Sequence, residues 1–164
     1  GFQYLKEILL HCDKTINIIA AYNNKEAANV AIQKYDFQQF IDNGMLEIKH
    51  DMRWDTGLAE LVAQSRGVII PSIWPTTTEF GLLEALGYKK PVFTFDISVH
   101  KEEIINGVNG FKAPLGDCKT LAKQLTILKD DNQLYGHVSN GAKFLFDKMT
   151  NKQSWIDTFK SMGL

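Results

Sequence analysis

The chain has 164 residues, 45% hydrophobic and 23% charged, which suits one globular domain with a core large enough to fold alone. Its 18 basic and 19 acidic side chains leave a formal net charge of -1, so composition offers no footprint for nucleic acid or for an anionic membrane. Basic pairs such as Lys89-Lys90 read as solvated.

The chain opens at Gly1 rather than Met and runs straight into "FQYLKEILLHC", where Leu5, Ile8, Leu9 and Cys12 recur at helical spacing. It reads as a piece of something longer. "TINIIAAY" is a compact apolar run and predicts a strand; "NNKEAANVAIQKYDFQQFIDNG", with Asn at its start and Gly44 past its end, predicts a helix. The alternation repeats with "MLEIKH" as a strand, "DTGLAELVAQS" as a helix with Leu58, Leu61 and Val62 on one face, and "GVIIP" as a strand. A helix over about Thr77 to Tyr88, the strand "PVFTFD", a turn "NGVNG" and the short run "FKAP" follow. The last fifty residues read as helical, with Cys118, Leu121, Leu125 and Leu128 as one stripe and Phe144, Trp155 and Phe159 as later anchors.

Strands that alternate with helices and read as continuous apolar runs predict an α/β domain, a doubly wound, Rossmann-like parallel sheet covered on both faces. One domain spans residues 1–164, with no internal repeat and no linker. Ligands bind such sheets at the carboxyl ends of the strands, here the residues just after Ala21, His50, Pro71 and Asp96. Cys12 and Cys118 form no CxxC pair, and the four histidines stand singly without HxxxH or HExxH spacing, so two inert thiols in a reducing compartment and no metal site are expected. No apolar run approaches the roughly 20 residues of a spanning helix and no signal pattern opens the chain, which predicts a soluble, cytoplasmic protein.

The stretch "IIPSIWPTTTEFGLLEALGYKKPVFTFD" concentrates the chemistry. Thr76 to Glu79 fits a capping box, in which Thr76 caps the amide of Glu79 and Glu79 reaches back. On the helix that follows, Thr77, Gly81, Glu84 and Tyr88 share a stripe, while Leu82, Leu83 and Leu86 fall elsewhere and fill the core. Gly81 costs a helix interior about 1 kcal/mol against Ala, which close approach by a ligand or another backbone would offset. Free amides at the helix start suit a phosphate, and Glu84 suits the hydroxyls of a ribose. The plain alternative for Glu84 is a solvated carboxylate. Ser72 and Ser98 have no histidine partner in view, and His100 reads as a surface residue of the loop after Asp96, so no catalytic residue is assigned.

Phe80 to Asp96, with "VIIPS" before it and "EEIINGVNGF" after it, resembles the C-terminal nucleotide-sugar domain of family 4 (group 1) retaining glycosyltransferases of the GT-B fold. Pro71-Ser72, Glu84-Ala85, Pro91-Val92, Asp96, Glu102, Gly107 and Gly110-Phe111 carry the resemblance, which spans nearly the whole chain in layout. It implies transfer of a sugar from a nucleotide diphosphate, UDP- or GDP-linked with ADP also used in the family, to an acceptor hydroxyl with retention and without metal or other cofactor. Glu84 matches the second glutamate of the family's E-x7-E motif, which binds the donor ribose. The first falls at Thr76, a departure; Thr76 or a neighbouring hydroxyl, Glu79 from a shifted loop, or no residue takes its place. Amides of Thr78, Glu79 and Phe80 match the phosphate-binding turn, so the implied donor site is Thr76, Thr77, Thr78, Glu79, Phe80, Gly81 and Glu84, with no metal ligand. Lys89 stands where the family has Gly, and Ala20-Ala21-Tyr22 replaces a Gly-rich turn; Tyr22 reads as a buried strand-end aromatic rather than a neighbour of the base.

The resemblance also implies that an N-terminal acceptor domain, a first strand and the phosphate-binding Arg and Lys on and after it precede Gly1. Its acceptor, a glycan, a lipid-linked or a small molecule, would bind that domain, and the full-length enzyme could sit peripherally at the inner membrane surface. Two other readings stay open: a non-catalytic nucleotide- or protein-binding Rossmann-like module, and a GT-B sugar epimerase.

Overall fold

The computed structural model describes residues 1–75, 77, 79–151 and 160; Trp155 and Phe159 lie outside them. Helix α1 (Gln3–His11) buries Leu5, Ile8 and Leu9, the stripe expected from their spacing, and leads to strand β1 (Ile18–Ala21). The long helix expected next is two. Helix α2 (Lys25–Tyr35), capped by Asn24 accepting from the Ala27 amide, stops where Asp36 turns left-handed at φ 53°, a conformation Asp tolerates. The short α3 (Gln38–Asp42) then starts over the buried Phe37 and Phe40.

Strand β2 (Leu46–Lys49) pairs parallel with β1. A kinked turn at Trp54–Leu58, with Gly57 at φ 106°, delays the expected helix, and α4 covers only Ala59–Gln64. Strand β3 (Val68–Ile70) follows, then α5 (Phe80–Gly87), β4 (Val92–Phe95) and β5 (Gly110–Ala113), with β4 parallel to both its neighbours. Between β4 and β5 lies a helix the sequence did not announce, α6 (Ser98–Glu103). Helices α7 (Cys118–Asp130) and α8 (Asn132–Thr150) close the described chain.

All named strands run parallel, in the order β1-β2 in one sheet and β3-β4-β5 in the other. Period-2 alternation sorts the side chains of β4 between two helical layers. Phe93 and Phe95 join α1, β1 and α7 in one core cluster; Val92 joins Leu82, Leu86, Val99, Ile104, Ala142 and Leu145 in a second, under α5, α6 and α8. This is the doubly wound arrangement expected.

Three expectations about single residues fail. Phe144 is 74% exposed, because α8 buries Val138, Ala142 and Leu145 and residue 144 falls off that stripe. Lys90 is only 8% exposed, since its ammonium donates to the Ala63 and Ser65 carbonyls (2.7 and 2.8 Å), which satisfies both the charge and the last turn of α4. His100, expected on the surface, is 1% exposed on α6. The thiols behave as expected: Cys12 and Cys118 are free, and burial pushes them up to about 11 and about 12, so both stay protonated.

Candidate functional site

The loop after β3 crosses the carboxyl edge of the sheet and delivers α5 there. Helix α5 does not begin with the expected capping box. Its N-cap is Glu79, in extended conformation and without a side-chain cap bond, and Phe80 is its first helical residue. The reason lies on helix α6. Glu79 Oε2 sits 3.1 Å from Nε2 of the buried His100, so its carboxyl group is drawn inward and cannot reach back as the third residue of a cap.

The hydrogen bonds fix the logic of that contact. The Thr94 hydroxyl donates to the Ile70 carbonyl (2.8 Å), so at 2.7 Å His100 must donate its Nδ1–H to Thr94 Oγ1. A neutral His100 then presents a bare Nε2 to Glu79, and two acceptors cannot bond without a proton between them. Burial raises the Glu79 carboxyl above its ordinary value and lowers His100 to about 4, both toward the neutral forms. Both shifts disfavour the charged forms, and a hydrogen bond at 3.1 Å requires one proton between Glu79 Oε2 and His100 Nε2. The signal for this network in sequence was Thr94, one hydroxyl in the apolar run "VFTF".

Glu84 lies one turn further along α5 and behaves differently. It is half-buried, and among the described residues no hydrogen bond or ion pair engages it. Leu82, Ala85 and Leu86 are buried beside it, so the α5 core face is as expected and Leu83 is half-buried. A Cβ at Gly81 would meet only Ile70 Cδ1, at 3.8 Å, so no internal contact requires glycine there. The Leu82 and Leu83 amides both bond the Glu79 carbonyl (3.1 and 3.3 Å), leaving the amides of Phe80 and Gly81 at the helix start without an acceptor among the described residues. Phe80 is 77% exposed.

Of the other expected site residues, Thr77 is exposed in a bend before the helix and so off the Gly81–Glu84 stripe, and Thr76 and Thr78 lie outside the described residues. Tyr88 ends α5, its ring stacked on Trp54 at 5.8 Å. Lys89 takes φ 58°, a left-handed conformation that explains why glycine suits this position.

The remaining strand ends carry polar groups already engaged. His50 Nδ1 lies 2.6 Å from Asp51 Oδ2, Asp96 Oδ1 lies 3.1 Å from the Lys112 ammonium, and Tyr22 stacks on Phe2 at 5.1 Å. Burial pushes the Tyr22 phenol up to about 12 and leaves its hydroxyl without a partner among the described residues. Tyr22 is thus a strand-end aromatic, as expected.

A doubly wound parallel domain with an open helix start and an uncommitted carboxylate at the carboxyl edge of β3 defines a nucleotide-binding class of architecture. The chain belongs to the family of group 1 glycosyl transferases, whose model matches residues 21–131. No curated protein sequence matches it. Among solved structures, it is similar to HepE from Anabaena, solved with UDP and glucose, at 21% identity and a TM-score of 0.76 over 98% of this chain and 45% of that one. It is similar to TarM from S. aureus, solved with fondaparinux, α-GlcNAc-glycerol and UDP, at 16% identity and TM-score 0.74 over 96% of this chain and 31% of that one. A glycosyltransferase from Rickettsia africae matches at 16% identity and TM-score 0.65, over 90% and 38%. The chain spans less than half the length of these proteins. The fold expected from the sequence, that of the C-terminal half of a GT-B enzyme, is the fold found. No helix among the described residues is long and apolar enough to cross a membrane.

Proposed function

We propose that this domain binds the nucleotide diphosphate of a sugar donor, and that the protein containing it transfers the sugar to an acceptor hydroxyl with retention of configuration. One observation carries the reading: among the described residues nothing pairs with the half-buried Glu84 on α5, one turn beyond Gly81, or with the amides of the helix start. A carboxylate held so is expensive to desolvate without a partner, and paired hydroxyls of a ribose are a partner of the right shape. The amides of Phe80 and Gly81, with the positive end of the helix dipole, take the diphosphate. They also stabilise charge developing on the leaving diphosphate, a preorganised electrostatic contribution that needs no divalent cation. Family membership supports the transferase class, and the UDP in the HepE structures makes uracil the first base to test. The acceptor, whether glycan, lipid-linked or small molecule, would be held by residues outside this chain. We place the protein in the cytoplasm, in line with its two free thiols.

A second reading has an observation in its favour. Thr76 stands where the family's first motif glutamate belongs, and the nearest carboxylate, Glu79, is committed to His100. A module that binds a nucleotide and no longer transfers sugar fits that loss.

Calorimetric titration of the chain with UDP, GDP and ADP and their sugar conjugates, with EDTA and without, tests the donor site. Saturable binding of one nucleotide, unaffected by EDTA, is the expected result; no binding by the protein that contains this domain in its full length would refute it. Nucleotide release with and without added acceptors then separates transferase from binding module.

A further inference from the structure

Helix α5 begins at a place that attracts anions, and the chain itself carries one there. Glu79 is the N-cap, the residue whose side chain ordinarily accepts from the second or third amide of its helix. Three other helices show that use: Asn24 accepts from the Ala27 amide (2.8 Å), Asp117 from Thr120 (3.0 Å) and Asp131 from Leu134 (2.8 Å). On α5 the third amide, Leu82, bonds the Glu79 carbonyl, while the second, Gly81, has no acceptor among the described residues. A free carboxylate at Glu79 would be drawn to this start by the helix dipole whether or not it made a cap bond. Instead it makes none, and it points to His100.

The fold fixes His100 to receive it. The ring is 1% exposed on α6; its Nδ1 lies 2.7 Å from Thr94 Oγ1, and that hydroxyl is bonded to the Ile70 carbonyl (2.8 Å). Strands β3 and β4 thus orient the ring, and Nε2 is left facing Glu79 Oε2 at 3.1 Å. Both atoms are shut off from solvent, and neither has another hydrogen-bond partner among the described residues. Only a proton between them makes the contact attractive. Without it, a bare ring nitrogen faces a carboxylate, and the Glu79 side chain, still 22% exposed, is free to turn back to its own helix.

No neighbouring charge takes the place of that proton. Strand β3 carries none, and Asp96 beyond β4 is paired with Lys112 of β5 (3.1 Å). Helix α6 carries Lys101, Glu102 and Glu103, the last paired with Lys148 of α8 (3.2 Å); α8 adds His137 and the Lys143–Asp147 pair, and α5 itself has Glu84, with Tyr88 at its end. Burial alone raises Glu79 and lowers His100 to about 4.

We infer that His100 is a positioning residue for donor binding: by holding Glu79 inside the fold, it keeps the start of α5 clear of the chain's own carboxylate and open to the diphosphate. This role rests on the donor reading of α5. Proton linkage follows from it. A bound diphosphate repels a released Glu79 carboxylate, so binding favours the protonated pair and takes up a proton. Affinity is therefore full while the pair keeps its proton and falls as pH rises through the Glu79 value, which lies above the ordinary 4.5.

The test is titration of the protein that contains this domain in its full length with UDP-, GDP- and ADP-glucose, whose diphosphates do not themselves titrate between about pH 5 and 8. Four forms are compared: unmodified, Glu79→Gln, His100→Leu and the double variant. Across that range the unmodified protein should lose affinity about fivefold, with proton uptake seen as a dependence of the binding heat on buffer ionisation; Glu79→Gln should show neither. At pH 6, His100→Leu should bind about fivefold more weakly than the unmodified protein, and adding Glu79→Gln should restore the affinity. Should His100→Leu not fold, the pH comparison of the first two forms decides alone. A Glu79→Gln variant that declines with pH as the parent does, an undiminished His100→Leu, or a loss that Glu79→Gln does not rescue would each overturn the role of His100 and leave the donor site standing. No binding of any of the three by the unmodified protein would overturn the donor reading, and the role of His100 with it.

Discussion

The start of α5 and its next turn carry one carboxyl group each, and the fold uses the two in opposite ways. Glu79 is folded inward, 3.1 Å from a histidine that is itself held by Thr94. Glu84, five residues on, is left half-buried with nothing to bond among the described residues. A structural carboxyl is recognised by a closed chain of partners, and a candidate ligand-binding one by an open end. The proposal gives the first a stability role and the second a binding role, and each can be broken separately.

The largest expected effect is on binding. Glu84→Ala should weaken nucleotide affinity by about 1.5–3 kcal/mol, the worth of a charged hydrogen bond, and leave the thermal midpoint almost unmoved because no internal contact is lost. Glu79→Ala should do the reverse. It strands His100 Nε2 in the interior without a partner, which costs about 1–3 kcal/mol in urea unfolding, while the intrinsic affinity of the folded protein for nucleotide changes less than in Glu84→Ala. If both variants lose affinity equally, the division between the two carboxyl groups is wrong.

Gly81→Ala sharpens the same contrast at smaller scale. The added methyl meets only Ile70 Cδ1 at 3.8 Å, so the helix should gain up to about 1 kcal/mol in stability from propensity alone. If a ligand backbone or phosphate approaches Gly81, nucleotide affinity should fall in this more stable protein. Titration of the variant against UDP reads one effect and its urea midpoint the other; a stabilised variant with undiminished affinity would remove Gly81 from the site.

The layered fold was legible because it is written in periodicity. "NIIAAY", "GVIIP" and "PVFTFD" are apolar on both faces, and Leu5, Ile8 and Leu9 recur at helical spacing, so strands, helices and their parallel packing followed directly. Glu84 and Gly81 were legible as candidates because their stripe lacks bulky apolar neighbours. What could not be read was tertiary competition. The capping box at Thr76–Glu79 is a correct local pattern that loses to a buried histidine from α6, twenty-one residues away in sequence and on a helix the polar segment "ISVHKEE" did not advertise. Lys90 misled for the same reason, since its charge is met by carbonyls of α4 that no local window contains.

The smallest expected effect tests where the shared proton sits. Burial raises the Glu79 carboxyl above its ordinary 4.5, so the stability it contributes is present below the unfolded value and is lost as pH rises through the folded one. Glu79→Gln removes that titration while its amide N–H still donates to His100 Nε2. The variant should therefore match the parent near pH 4.5 and become the more stable of the two as pH rises toward 8, by no more than about 1 kcal/mol, since a neutral hydrogen bond replaces another. His100, lowered to about 4 from 6.5, contributes stability that is present above pH 6.5 and lost as pH falls toward 4. That loss is common to both proteins and cancels in the difference between them. Thermal midpoints of the two from pH 4.5 to 8 make the comparison. A parent more stable than the variant at pH 6 would mean that the proton rests on the imidazole and that Glu79 is a buried carboxylate paired with a charged ring.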